Sequence, residues 1–241
     1  MTEQERCARK ENSPEWVRYR LMMQERPESF RQDPMLRIET DLTEICRFEQ
    51  ESGRTIGVLY SSPYSLLVVD LVRGMDGKAF AYERMLPAVE RGAVVSVPIC
   101  GGRFVLLEQY RHSMRALQWA FPRGFAEQGI SSAENVEKEL REEIGAKGIH
   151  TSPLGSIRPD SGMSGTKADV FLCEVDEIAV TEGYEGIKRT CLLTGQELTE
   201  WIQKGRITDG FTLAALTLLQ VRYGSLSLGL AQSVDEQSPE Q

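Results

Sequence analysis

The stretch that decides the fold spans residues 124–146 and reads GFAEQGISSAENVEKELREEIGA. Its second half has the spacing of an amphipathic helix, with about 100° between successive residues. One apolar stripe, which must face a core, is formed by Ala133, Val136, Leu140 and Ile144. Glu139 and Glu143 lie at the border of this stripe, and Glu142 points further out. Two carboxylates therefore border the core, although a solvated helix would place its charges on the opposite face.

This crowding of carboxylates has two interpretations. Like charges three and four residues apart on a helix repel each other by roughly a few tenths of a kcal/mol. Glutamate-rich helices are common, and a solvated face tolerates that repulsion. A site for a hard divalent cation, Mg²⁺ or Mn²⁺, instead uses carboxylate oxygens as ligands. The residues alone leave both interpretations open.

Composition and charge exclude several classes of protein. The chain has 241 residues, 41% of them hydrophobic, which is enough for one large domain or a small element plus a domain. Its formal net charge of -8 argues against a nucleic-acid partner, although an acidic site that holds a divalent cation can attract a nucleotide phosphate. The longest apolar runs are far shorter than the ~20 residues of a membrane span, so we expect no membrane partner.

The cysteines bear on the cellular compartment, and the cysteines and histidines together bear on metal sites. The five cysteines are scattered and form no CxxC pattern, which favours reduced thiols in the cytoplasm and argues against a zinc site. The charged N-terminus has no apolar segment of the kind found in signal peptides. The chain has two histidines, His112 and His150, which excludes a histidine-rich metal site.

Local patterns divide the chain into four segments. Residues 1–50 are predicted to form a mixed-charge helical extension, in which Ser13 and Pro14 begin a helix that reaches about Met23. Residues 51–90 are predicted to form a β-rich subdomain. Residues 91–228 hold the main domain, and residues 229–241 a polar acidic tail without order.

The order of elements in the main domain predicts an α+β fold. A hairpin is predicted for GAVVSVPI and RFVLLEQYR, a further strand for WAFPRGF, and another for KADVFLCEV. Ser132 is the expected N-cap of the glutamate helix, and Gly145 its C-terminal stop. Two later helices are predicted for TGQELTEWIQKG and DGFTLAALTLLQVRY. This order is typical of an α+β sandwich more than of a doubly wound sheet.

Residues 124–146 resemble the Nudix box, a pattern of glycines, glutamates and one arginine at fixed spacing. The positions in register are Gly124, Glu139, Leu140, Glu142, Glu143, Gly145 and Ala146. Two positions depart, because Ile130 replaces a glutamate and Lys138 replaces the arginine. Flanking segments between residues 91 and 219 resemble the ADP-ribose pyrophosphatase branch of the family. The resemblance implies a Nudix-type α/β/α sandwich with a mixed sheet, an N-terminal β-rich subdomain and a homodimer.

The resemblance also implies a metal site. Two or three Mg²⁺ or Mn²⁺ ions would be bound by Glu139, Glu142 and Glu143. The backbone carbonyl of Arg123 would supply another oxygen. Gly124 would allow the loop to come close to the metal, because it has no Cβ.

Catalytic and substrate residues follow from the same resemblance with alternatives left open. Glu185 is the first candidate for a general base or further ligand, and Glu182 the second. Gly183 occupies one acidic position of the family pattern, which weakens this assignment. Arg111 could clamp a phosphate through its guanidinium or be an ordinary surface arginine, and Arg91 is a weaker candidate.

The function implied is hydrolysis of a nucleoside diphosphate linked to a group X, first of all ADP-ribose or a nucleotide sugar. In the family, the two altered box positions pair and brace the loop against the helix. A pair lost together leaves no partner stranded, so we expect the fold and the metal site to survive, with Ile130 docking on the apolar stripe. The alternative is a Nudix-fold protein that binds nucleotides or regulates without catalysis.

Overall fold

A computed structural model describes residues 2–88, 92–127, 129–179, 184–224 and 226. It divides the chain into an N-terminal unit, Met1–Glu90 with Asp160–Thr166, and a second unit, Arg91–Pro159 with Lys167–Gln241. The expected tail at 229–241 lies outside the described residues. Across the described part of the chain, no helix combines the length and apolar character that a membrane crossing requires.

The N-terminal unit combines helices with an antiparallel sheet. Its helices are α1 (Glu3–Glu11), α2 (Pro14–Glu25) and α3 (Leu42–Ser52). Its strands are β1 (Leu36–Ile38), β2 (Gly57–Ser61), β3 (Ser65–Gly74) and β4 (Ala79–Pro87). β4 pairs along one side of β3, while β1 and β2 share the other side. Ser13 caps α2, as its sequence predicts.

One hydrophobic core joins the helices of residues 1–50 to the strands of residues 51–90. Trp16 and Tyr19 of α2 are buried in this core together with Val68 of β3. The core also encloses Asp70, whose carboxylate pairs with the Arg84 guanidinium at 2.6 Å and accepts the Tyr19 hydroxyl at 2.5 Å. Such partners replace the hydration that a buried charge loses.

The second unit is built on a mixed sheet. Its strands are β5 (Ala93–Cys100), β6 (Arg103–Arg111), β7 (Ala116–Ala120), β8 (Arg123–Phe125), β9 (His150–Ile157), β10 (Ala168–Val175) and β11 (Ile187–Leu193). The order across the sheet is β11-β6-β5-β10-β9, with β5 and β10 parallel at its centre. β5 and β6 pair next to their turn, whereas β8 pairs with the far end of β5 and β7 with that of β6.

Helices cover both faces of this sheet. α4 (Ser132–Ile144) packs on the face that carries Val94 and Val105. α5 (Gly195–Gln203) and α6 (Gly210–Tyr223) pack on the face that carries Val95 and Leu106. Because successive strand residues point to opposite faces, a strand such as β5 or β6 contributes side chains to the cores on both faces. The expected α+β fold, an α/β/α sandwich with a mixed sheet, is confirmed.

Two local predictions were wrong. Ser131, not Ser132, is the N-cap of α4, because Ser131 and Glu134 form a reciprocal capping box and Ser132 is the first helical residue. The segment WAFPRGF does not form one strand. It is divided between β7 and β8, which pair with different strands on either side of Pro122. The helix α1 and the strands β1, β9 and β11 were not predicted from the sequence.

Candidate active site

The glutamate helix α4 presents its carboxylates toward β8. Its apolar stripe is buried, and Gly145 ends it in the left-handed conformation at φ 56°, as expected. The side chain of Glu143 is only 2% exposed. It is therefore more deeply buried than its position at the border of the apolar stripe predicted. Glu139 is half-buried, and Glu142 is also partly exposed.

Gly124 and Glu139 form the first close contact of the site. A Cβ at Gly124 would overlap the carboxylate of Glu139. The φ angle of Gly124 lies outside the left-handed region, so the backbone itself does not demand glycine there. Space for the carboxylate is therefore the reason for a glycine at this position.

The main chain of Arg123 forms the second contact. Ser96 N–H donates to the Pro122 carbonyl, and Ala126 N–H donates to the Gly92 carbonyl. Hydrogen-bonded pairs alternate along an antiparallel ladder, so the Arg123 N–H and carbonyl both point away from β5. The Arg123 main chain acts on the Glu143 carboxylate and lowers its pKa, against the larger effect of burial. The Arg123 carbonyl lies on that same side of β8.

Burial and mutual repulsion hold protons on these carboxylates. Burial, and then the neighbouring charge of Glu139, raises the pKa of Glu143 to about 8. Burial, and then the charges of Glu142 and Glu185, raises the pKa of Glu139 to about 7. Buried carboxyl groups behave in this way when no sufficient positive charge lies beside them.

Arg111, at the end of β6, lies within electrostatic reach of Glu143. Burial, and then the charge of Arg123, lowers the pKa of the Arg111 guanidinium, while Asp209, Glu143 and Glu185 act in the opposite direction. Its Nε atom is buried and has no hydrogen-bond partner among the described residues. A guanidinium in this state is a ready donor to an incoming anion.

Glu185 reaches the site from the turn Tyr184–Gly186. Its backbone is left-handed, at φ 44° and ψ 32°, a conformation that costs a non-glycine residue about 1–3 kcal/mol. Gln109 Nε2 donates to the Glu185 carbonyl at 2.9 Å and holds the turn against β6. The charge of Glu185 acts on both Glu139 and Glu143. Strain of this kind is often found at functional sites.

Asp209 belongs to the same cluster and was missed in the sequence. It is the N-cap of α6, is 5% exposed, and pairs with Arg123 Nη1 at 2.6 Å. The Arg123 guanidinium also lies 4.3 Å from the centre of the Phe211 ring. The pair Asp209-Gly210 before an apolar run is a recognisable cap signal, but nothing in the sequence links it to Arg123.

Together these groups give the cluster an excess of negative charge. Four carboxylates and two guanidinium groups act on one another electrostatically; they belong to Glu139, Glu143, Glu185 and Asp209, and to Arg111 and Arg123. Fully ionised, the cluster would carry two more negative than positive charges. A divalent cation is the chemical partner that such a set accepts most readily.

Comparison with known protein families identifies a domain within the chain. A sequence model of the NUDIX domain matches residues 90–205. Residues 90–205 therefore carry a Nudix domain. The matched region includes α4, β8, Arg111 and Glu185, whereas α6 with Asp209 lies beyond it.

One curated relative supports the expected branch of the Nudix superfamily, and one solved structure supports the fold. The ADP compounds hydrolase NudE of Escherichia coli (strain K12) is 34% identical over 70 residues, which cover 29% of this chain and 37% of that protein. The sequence match thus spans little more than a third of that relative. A crystal structure of an ADP compounds hydrolase superposes with a TM-score of 0.60 at 20% identity, covering 69% of this chain and 90% of the other. This second likeness shows the fold.

The structure shows the surroundings of Ile130 and Lys138, the two residues that depart from the Nudix box. Lys138 Nζ pairs with the Glu127 carboxylate and lies 3.7 Å from that of Glu142. The loop before α4 is therefore joined to the helix by Glu127, three residues before the altered box position. Ile130 is half-buried, and its docking on the apolar stripe stays a prediction.

The donors of this Nudix site suit Mg²⁺ or Mn²⁺ in number and kind. Among the described residues, no three His, Cys, Asp or Glu side chains group tightly enough to hold an ion alone. Mg²⁺ characteristically uses one or two carboxylates and completes its shell with water and substrate phosphates. Glu143 is buried and Glu139 half-buried, both have raised pKa values, and the Arg123 carbonyl points away from β5, so the site offers oxygen ligands of this kind.

Some residues predicted for the site cannot be placed. Arg91, Glu182 and Gly183 lie outside the described residues. The other predicted site residues lie at or near the cluster, and Glu142 lies at its exposed side.

Proposed function

We propose that this chain hydrolyses the pyrophosphate bond of a nucleoside diphosphate linked to a group X, giving a nucleoside monophosphate and phosphorylated X. ADP-ribose or a nucleotide sugar is the substrate that we favour. The observation that carries the proposal is the set of buried carboxylates on α4, held against the main chain of β8 within a Nudix domain. The similarity to ADP compounds hydrolases supports the substrate class.

The carboxylates have separate tasks in this proposal. Glu139 and Glu143 bind Mg²⁺ or Mn²⁺ together with the Arg123 carbonyl, and Glu142 binds a second or third ion. When bound, these ions neutralise the pyrophosphate charge and lower the pKa of water. Gly124 leaves room for the Glu139 carboxylate beside the strand.

The remaining side chains act on substrate and water. Arg111 donates hydrogen bonds to a phosphate, using the Nε that has no partner among the described residues. Glu185 accepts the proton of the attacking water while the oxygen joins one phosphorus and the bridging P–O bond breaks. Arg91 and Glu182 remain a second substrate contact and a second base in this proposal.

We also propose that the protein is a homodimer located in the cytoplasm. The dimer rests on the resemblance to the ADP-ribose pyrophosphatase branch. The cytoplasmic location rests on the cysteines, all five of which are free thiols. Light scattering of the purified protein would test the dimer, and a monomer would contradict it.

A substrate screen tests the proposed activity. Purified protein would be incubated with ADP-ribose, GDP-mannose, NADH and diadenosine compounds in the presence of Mg²⁺ or Mn²⁺. We expect hydrolysis of at least one compound and loss of that hydrolysis in Glu143→Gln. Nucleotide binding without turnover would instead favour a non-catalytic Nudix protein. Turnover unaffected by Glu143→Gln would show that the site is placed wrongly.

A further inference from the structure

Buried polar contacts join the first turn of α6 to residues 121–123, where β7 ends and β8 begins. Asp209 Oδ2 accepts hydrogen bonds from the Thr212 N–H at 2.9 Å and from the Thr212 hydroxyl at 2.8 Å. The same hydroxyl oxygen accepts the Phe121 N–H at 3.0 Å. Asp209 Oδ1 accepts the Arg123 guanidinium at 2.6 Å. One helix cap therefore holds both ends of the segment from Phe121 to Arg123.

These contacts are shielded from water. Thr212 is 0% exposed and Asp209 is 5% exposed. A polar network in a low-dielectric interior is rigid when every member is satisfied, and costly to break at any single link. The cap is therefore well suited to fix the position of a neighbouring strand.

The segment held by this cap meets the carboxylates on its other side. The Arg123 main chain acts on the charge of Glu143, and Gly124 lies against the carboxylate of Glu139. A shift of the strand would change the space and the donor that these two carboxylates meet. A displacement of about 1 Å in a site of this kind can lower a rate by roughly 100-fold.

We propose that Asp209 and Thr212 are positioning residues of the carboxylate site: through Phe121 and Arg123 they fix the main chain of β8 against Glu139 and Glu143. The inference rests on the proposed function in that it takes these glutamates as ligands of a divalent cation. In this proposal Asp209 and Thr212 act without binding the ion or the substrate. Their effect passes through the strand.

Thr212→Val tests this role without changing any charge. Valine has nearly the shape of threonine, but it neither donates to Asp209 nor accepts the Phe121 N–H. We expect Mn²⁺ affinity, followed by the electron paramagnetic resonance signal of free Mn²⁺, to fall about 3- to 10-fold. Thr212→Ser keeps the hydroxyl and should restore most of the affinity.

A matched control lies on the same helix. The Thr217 hydroxyl donates to the Leu213 carbonyl within α6, at 2.9 Å. Thr217→Val should keep the Mn²⁺ affinity of the wild type, and the unfolding midpoints show that the compared proteins are folded. If Thr212→Val does not fold, Thr212→Ala is measured instead, with Thr217→Ala as its control.

The outcomes separate this inference from the proposed function. Equal Mn²⁺ affinity in Thr212→Val and Thr217→Val would overturn the positioning role alone. If Thr212→Ala is used, affinity equal to that of Thr217→Ala would do the same. Mn²⁺ binding by the wild type without hydrolysis of any nucleotide would overturn the proposed activity alone. A wild type that binds no Mn²⁺ would overturn both.

Discussion

At Gly124 the absence of a side chain allows a strand and a helical carboxylate to meet. The sequence predicted a close approach at this glycine, but the structure shows that the approaching group is Glu139. At Asp209 the sequence predicted only a helical segment, because the partner Arg123 is far away along the chain. The spacing between residues that are close in sequence can be taken from the sequence alone. A contact with an element far along the chain cannot.

Gly124→Ala should weaken metal binding with little loss of stability. The added methyl group displaces the Glu139 carboxylate, which is the end of a flexible side chain and can swing toward solvent. The backbone angle of Gly124 is one that alanine adopts without strain. We expect Mn²⁺ affinity to fall at least about 10-fold, the effect of removing roughly 1.4 kcal/mol of binding energy.

Titration calorimetry with Mn²⁺ and thermal unfolding would measure the two quantities for Gly124→Ala. Gly165→Ala is a suitable control, since its added methyl group would meet open space. A fall in the unfolding midpoint without a change in Mn²⁺ affinity would contradict this reading of Gly124.

At the scale of elements, α4 was predicted well and the segment before it was not. The apolar stripe and Gly145 define the helix in the sequence, and the capping pattern Ser-x-x-Glu was present at Ser131 although the neighbouring Ser132 was chosen. The division of WAFPRGF depends on which strands lie beside it. Pro122 lacks an N–H donor, which makes a break possible, but only the pairing of the surrounding sheet decides where it falls.

Ser131→Ala should destabilise the second unit by about 1 kcal/mol, the usual loss for a removed N-cap. The Ser131 hydroxyl accepts the Glu134 N–H, and the Glu134 carboxylate accepts the Ser131 N–H at 2.7 Å. Urea unfolding would measure the change. Ser131→Thr, which can form the same capping box, should lie close to the wild type. Equal stability of the alanine and threonine variants would show that the cap is not at this residue.

At the scale of the whole molecule, the fold class and the acidic character of the site were predictable, and the convergence of its parts was not. The box gives the spacing of Glu139 and Glu143, and the strand pattern gives the sandwich. Arg111, Glu185 and Asp209 come from three other elements, and only the crossing of those elements brings their charges together. Burial then raises the pKa values of the Glu139 and Glu143 carboxyl groups, and the amino-acid composition alone could not predict this effect.

The metal-free protein should lose stability as the pH rises. The folded state binds protons at Glu139 and Glu143 more tightly than the unfolded state, whose glutamate pKa is 4.5. Their contribution to the free energy of unfolding is therefore full below about pH 4.5 and disappears as the pH passes the folded values of about 7 and 8. Thermal unfolding with a chelator present, from acidic to alkaline pH, would measure this slope.

Glu143→Gln isolates this effect from the other titrating groups. Glutamine cannot ionise, so the metal-free variant should match the wild type at acidic pH and unfold at a higher temperature above pH 8. Mg²⁺ should stabilise the wild type more at alkaline pH, and should leave Glu143→Gln nearly unchanged. Glu137→Gln, which alters a pair with Arg141 on the same helix, should respond to Mg²⁺ as the wild type does. A pH-independent difference between wild type and Glu143→Gln would contradict the raised pKa.

The division of the chain into units limits how the protein can be dissected. The chain passes between the two units three times, because Asp160–Thr166 belongs to the N-terminal unit. Within that unit, the Met163 carbonyl accepts the Met85 N–H at 2.8 Å, and the Gly162 carbonyl accepts the Tyr82 hydroxyl at 2.6 Å. A fragment beginning at residue 91 would keep this segment and lose its donors. A fragment trimmed to the matched residues 90–205 would also lack α6, so neither fragment would represent the whole protein.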